Sequence, residues 1–110
     1  MCYDWHMTEV ADIPLQTLVG KLKELAPALR AAGVTRLHLF GSRARGDARP
    51  DSDLDVLIET TRRDETPRFD YFEALHLIED HVGLRAQISM RDLLKPRMVE
   101  RIADDLVEVF

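Results

Sequence analysis

A chain of 110 residues, 45% hydrophobic and 32% charged, has the length and balance of one folded domain. That excludes a two-domain enzyme and the collagen-like, disordered and disulfide-scaffold classes. Fifteen Lys+Arg against twenty Asp+Glu leave a formal net charge of -5, which excludes a domain held to duplex DNA mainly by counterion release, so no direct nucleic-acid binding is expected.

Cys2 is the single cysteine, so neither an intramolecular disulfide nor a cysteine zinc cage can form, and the cytoplasm is the default address. Residues 1–12 carry Asp4, Glu9 and Asp12 and lack the basic and apolar regions of an export signal. They read as an irregular N-terminal arm in which Tyr3, Trp5 and Met7 either cover an apolar edge of the domain or dock on a partner. Leu15, Leu18, Val19, Leu22, Leu25, Ala26 and Leu29 recur at helical intervals, with Pro14 suited to the first turn and Gly33 to the end. Pro27 interrupts this pattern and predicts a kink or two short helices. Arg36 to Phe40 alternates as a strand and runs into a tight turn at Gly41.

Asp53 to Glu59 forms a second predicted strand, with Leu54, Val56 and Ile58 on one face and Asp53, Asp55, Leu57 and Glu59 on the other. The polar stretch 62–67 is a loop. A helix over about Arg68 to Val82 is expected to bury Phe72, Leu75, Ile78 and Val82 and to close at Gly83. Arg85 to Ser89 is a third strand, and Asp92 caps a brief turn. A last helix from Pro96 to Leu106 places Met98, Val99, Ile102 and Leu106 on one side, and Val107 to Phe110 either frays or extends. The order implies an α/β (α+β) fold over residues 1–110, a mixed three- to four-stranded sheet with helices packed on it. No apolar run approaches the roughly 20 residues needed to cross a bilayer, so no membrane contact is expected.

Chemistry concentrates between Gly41 and Asp55. A strand ending in Gly41-Ser42 and turning into a short helix offers backbone N–H groups and a hydroxyl to a phosphate, with no side chain on Gly41 to obstruct it. Asp53 and Asp55, two apart on a strand, project from one face about 7 Å apart at their roots, close enough to share Mg²⁺. Taken alone, the turn is most often only a turn and the acid pair only a solvated face. Together they describe nucleotidyl transfer, because Mg²⁺ completes its shell with substrate phosphates. Gly41 and Gly46 have Walker A spacing, but Asp47-Ala48 stands where Lys-Ser/Thr is required, which excludes that loop. Arg43 and Arg45 either neutralise phosphates or serve as surface charges paired with Asp47 or Asp51. Asp51 and Ser52 shape the turn. His6, His38, His76 and His81 lack zincin spacing and read as surface or interface residues.

The segment from Gly41 through Glu59, GSRARGDARPDSDLDVLIE, resembles the signature of the polymerase-β-like nucleotidyltransferase superfamily, and the short chain is similar to its minimal nucleotidyltransferase (MNT) branch, the antitoxin half of HEPN/MNT toxin–antitoxin pairs. The resemblance implies that Gly41 and Ser42 bind nucleotide phosphates and that Asp53 and Asp55 hold Mg²⁺. It further implies that AMP passes from ATP to a tyrosine hydroxyl of a HEPN ribonuclease toxin, in a hetero-oligomer. The family's third carboxylate falls in the stretch Gly83-Leu84-Arg85-Ala86-Gln87-Ile88-Ser89, where Gln87 stands in its place. A glutamine offers a carbonyl oxygen to the metal but cannot accept a proton. Two readings follow: an active adenylyltransferase, or a catalytically weakened antitoxin that neutralises its toxin by binding. Transfer to a small molecule ranks last, because no length remains for an acceptor-binding domain.

Overall fold

The computed structural model describes residues 13–110, so the expected arm with Tyr3, Trp5 and Met7 lies outside the described residues. The first helical stretch is two helices, α1 (Leu15–Glu24) and α2 (Ala26–Ala31), as Pro27 requires. The break falls at Leu25, and Pro27 occupies the first turn of α2, where a missing N–H disrupts no helical bond. Strand β1 spans Val34–Phe40, beginning two residues earlier than expected, and leads into a single-turn helix α3 (Gly41–Arg45). After a loop come β2 (Leu54–Thr60), α4 (Tyr71–Val82), β3 (Ala86–Met90), α5 (Pro96–Ile102) and the two-residue β4 (Val107–Glu108).

The four strands form one mixed sheet in the order β3-β2-β1-β4. β1 pairs antiparallel with both β2 and β4, whereas β2 and β3 run parallel, joined by α4 as a crossover. The two faces are unequal. Leu37 and Leu39 of β1 and Leu54, Val56 and Ile58 of β2 point into the main core with Leu18, Leu22, Leu29, Ala74 and Ile78 of α1, α2 and α4. The opposite face holds a smaller cluster, in which Phe40 and Leu57 meet Ile102, Met98, Leu94 and Leu106. Strand alternation therefore puts Asp55 on the side of Leu57 and α5, the side assigned to it from the sequence.

Three expectations change. Helix α4 begins at Tyr71 because the Asp70 carboxylate accepts the Glu73 N–H at 3.1 Å and caps it. Its buried stripe is Ala74, Ile78 and Val82. At 3.6 residues per turn Phe72 lies about 200° round from Ala74, and it is 67% exposed. Leu75 is half-buried. Asp92 caps nothing: it sits inside a 3₁₀ turn, Arg91–Leu93, that follows β3 directly and has no side-chain cap. The last helix stops at Ile102, and a second 3₁₀ turn, Ala103–Asp105, carries the chain to Leu106, which still reaches the same cluster as Met98 and Ile102.

Candidate active site

The end of β1 and the start of β2 build the site by their pairing. Phe40 and Asp55 are register partners, which brings the residue after Phe40 against the Asp55 side chain. Gly41 has φ +77°, in the left-handed region that glycine enters without cost. A Cβ built there would overlap Asp55 Oδ2 and lie 3.1 Å from its Cγ. Gly41 is thus required twice, by its backbone angle and by the carboxylate beside it. The residue preceding α3, Phe40, provides no capping side-chain bond, so the first-turn N–H groups at Gly41 and Ser42 have no side-chain cap. Gly46, also left-handed, ends α3 with its N–H on the Ser42 carbonyl at 2.9 Å.

From Gly46 the chain loops back to β2. In the turn at its end the Ser52 N–H donates to the Arg49 carbonyl and the Arg49 N–H donates to Ser52 Oγ, both at 2.9 Å. This is the local role expected of Ser52. Asp53 follows immediately, half-buried, and Asp55 lies two residues further along, the spacing that returns a strand to the same face. Partial burial and then the like charge of Asp53 push the Asp55 carboxyl above its ordinary value, while Arg45 pulls the other way. The two acids therefore feel each other, and among the described residues neither forms an ion pair with an arginine.

The two arginines part company. Arg45 is exposed; its Nε meets Asp47 Oδ2 at 3.1 Å and its Nη1 meets Asp105 Oδ2 at 3.0 Å. Arg43 is 5% exposed, and its Nη2 donates to the carbonyls of Ser52 (2.9 Å), Arg49 (3.3 Å) and Pro50 (3.4 Å). The surface-charge alternative at Arg43 is therefore overturned, and its guanidinium is turned into the loop. Gln87 stands where the sequence puts it: β3 pairs with β2 so that Asp55 and Gln87 are register partners, and register partners in a parallel pair share a face. Gln87 is exposed. The start of β3 is tied down by the Ala86 N–H donating to Glu79 Oε2 at 2.9 Å and by Leu54 N–H on the Arg85 carbonyl at 2.8 Å. A cleft of about 360 Å³ runs beside Asp53, between residues 50–53 and Gly83–Arg85. A wider cleft of about 580 Å³, lined by Leu25, Glu73, His76, Leu77, Asp80 and His81, lies on the outer helical face, away from the acid pair.

Sequence reasoning did not find Asp105, which reaches Arg45 across 60 residues of chain, nor Glu79. Neither lies in a motif, and only tertiary packing brings them in.

Among the described residues no group of three or more His, Cys, Asp or Glu side chains converges as a metal cluster. The donor set nevertheless suits Mg²⁺, which binds through one or two carboxylates and completes its shell with water and substrate phosphates. A half-buried carboxyl raised first by burial and then by a neighbouring like charge marks a place where a cation is favourable. Asp53 and Asp55 would hold it, with the Gln87 carbonyl oxygen on the same face as a neutral third donor.

A nucleotidyltransferase domain model matches residues 15–109, and the chain belongs to that family. It is 32% identical over 78 residues to the protein adenylyltransferase MntA of Thermococcus cleftensis, covering 70% of this chain and 76% of the relative. It is 30% identical over 77 residues to MJ1379 of Methanocaldococcus jannaschii, provisionally named a protein adenylyltransferase, covering 69% and 77%. A solved structure provisionally described as a minimal nucleotidyltransferase superposes with a TM-score of 0.67 at 31% identity, covering 86% of this chain and 95% of the other. A toxin–antitoxin crystal structure with AMP-PNP shares the fold, with a TM-score of 0.65 at 12% identity over 84% of this chain and 72% of the other. The mixed four-stranded α+β architecture is therefore that of the minimal nucleotidyltransferases.

Proposed function

We propose that this nucleotidyltransferase is a Mg²⁺-dependent protein adenylyltransferase that moves AMP from ATP onto a tyrosine hydroxyl of a partner HEPN ribonuclease toxin and so acts as its antitoxin in the cytoplasm. The observation that carries the reading is the close approach of the Gly41 turn to the Asp55 carboxylate, which supports a phosphate-binding turn beside the paired acids. Gly41 and Ser42 receive the phosphates, and Arg45, exposed and close enough to influence Asp55, adds positive charge. Mg²⁺ bound at Asp53 and Asp55 would supply the charge that offsets the triphosphate. In the transfer the acceptor oxygen bonds to the α-phosphorus, the bond to pyrophosphate breaks, and the hydroxyl proton leaves to a base. Gln87 cannot take that proton, which falls to the aspartates or to solvent. The names of the adenylyltransferase relatives support the reaction class.

The test is to incubate the full chain with α-labelled ATP, Mg²⁺ and a candidate HEPN partner. Label on the partner, lost with Asp53→Ala/Asp55→Ala, is expected; a partner that stays unlabelled while still binding would overturn the reaction. The neutral Gln87 in register with Asp55 favours a second reading, neutralisation by binding alone. On that reading the Asp53→Ala/Asp55→Ala variant suppresses the toxin as well as the parent does.

A further inference from the structure

We propose that Arg43 is a positioning residue that holds the acid half of the site in register with its phosphate half. The two halves lie on different segments. Gly41 and Ser42 belong to α3, while Asp53 follows a loop that leaves α3 at Gly46 and returns through an exposed turn at Arg49–Ser52. Backbone pairing fixes Asp55, inside β2, but Asp53 precedes the first residue of the strand, so its placement depends on how the loop ends. Arg43 sits in the middle of α3, and its buried Nη2 gathers the carbonyls of Arg49, Pro50 and Ser52, the last directly before Asp53. A planar guanidinium with several donors reaches three convergent carbonyls where an ammonium on a flexible stem holds them less well. Burial removes competing water and strengthens these bonds.

This inference rests on the adenylyltransferase reading for its functional consequence, though not for the loop geometry. A phosphate ligand at Arg43 and a brace at Arg43 differ in what they do to nucleotide binding. Loss of a phosphate ligand weakens ATP with or without metal. Loss of the brace leaves metal-free ATP binding intact and removes the extra affinity that Mg²⁺ confers, because only Asp53 has moved.

The experiment compares the full chain with Arg43→Met, Arg43→Lys and Asp53→Asn, measuring ATP affinity by titration with and without Mg²⁺ and amide hydrogen exchange across residues 47–54 without nucleotide. Expected for Arg43→Met is metal-free ATP affinity within about twofold of the parent, a Mg²⁺-dependent gain reduced about tenfold toward that of Asp53→Asn, and faster exchange at Ser52 and Asp53. Arg43→Lys should recover part of both, and it carries the test if Arg43→Met does not fold. Weakened metal-free ATP binding, or unchanged exchange and an unchanged Mg²⁺ gain, would overturn the proposal. If the parent itself shows no Mg²⁺-dependent ATP binding, the adenylyltransferase reading fails, and the exchange measurement alone decides the brace.

Discussion

The two flanks of the acid pair are built to different standards. On the β1–β2 flank the site is fixed at several points: Gly41 by its backbone angle and by the Asp55 carboxylate, Asp55 by strand register, and the loop before Asp53 by Arg43 and the Arg49–Ser52 turn. On the β3 flank the backbone is held as firmly, through Glu79 and the Leu54–Arg85 bond, yet the side chain it presents is an exposed neutral glutamine. Placement and chemistry are thus separable here. The fold keeps a position beside Asp55 whether or not the residue there can ionise, because nothing in the packing depends on it.

The sharpest way to break the comparison is on the well-specified flank. Asp55→Asn removes a charge while keeping the shape and should reduce AMP transfer by about 10³-fold, on the scale of losing a preorganised electrostatic group. The same substitution should raise the melting temperature of metal-free protein at neutral pH. Since the folded state raises the Asp55 carboxyl above 3.8, the folded chain holds that proton more tightly than the unfolded one. The stabilisation is complete below the unfolded value and is lost as pH rises through the folded value, so ionised Asp55 destabilises the fold at pH 7. Melting curves of parent and Asp55→Asn should therefore separate at neutral pH and converge near pH 3. Equal melting at pH 7 would remove the claim that burial and the Asp53 charge together raise Asp55.

Gly41→Ala strikes the same flank through sterics. The added methyl meets the Asp55 carboxylate and must sit at φ +77°, a backbone strain of about 1–2 kcal/mol before any carboxylate displacement. Transfer should fall about 10²-fold, with ATP binding weakened, as read by titration. By contrast Gly46→Ala has open space around its Cβ and meets only the backbone strain, so it should lose stability but keep a larger share of ATP affinity.

The β3 flank sharpens the comparison in the opposite direction. Gln87→Asp places a third carboxylate in register with Asp55 and should increase turnover with ATP and Mg²⁺ about 10- to 10²-fold, the lower range of what a positioned base contributes. It should also lower metal-free stability, since a third like charge joins two that already repel. Unchanged turnover would mean that the proton leaves by another route.

The same contrast explains what was legible in the sequence. β2 could be read with its faces correct because strand alternation is a local, two-residue period, and Asp55 and Leu57 interrupt it on one side only. The break in the first helical stretch could be read because Pro27 lacks a backbone donor, which left a kink or two short helices as the options, and the chain takes the second. The family motif was readable because Gly41, Ser42, Asp53 and Asp55 lie in one continuous segment, residues 41–55, on elements joined by a single loop. What failed needed the third dimension. Phe72 looked like a core residue on helical α4, but the helix starts at the Asp70 cap and is rotated so that Ala74 meets the sheet. Arg43 and Arg45 are alternate residues of one motif with the same charge, and only the path of the loop sends one inward and leaves the other exposed. Asp105 had no signal, since its partner is 60 residues away.

Asp105 supplies the smallest prediction. Arg45 is exposed and tied at both ends of its guanidinium, to Asp47 beside it in sequence and to Asp105 in the 3₁₀ turn before β4. Exposed ion pairs hold geometry weakly, so Asp105→Asn should leave the melting temperature within ~2 °C of the parent and alter KM for ATP by only about two- to threefold, with kcat unchanged. The direction is informative. If Asp105 aims Arg45 at the nucleotide, KM rises in the variant; if it holds Arg45 back, KM falls. Both pairs are accessible to salt, so raising ionic strength from 0.05 to about 0.5 M should bring parent and variant together. A difference that persists at high salt would mean that Asp105 acts through the packing of the α5–β4 segment rather than through its charge, and would tie the C-terminal strand to the site more closely than β3 is.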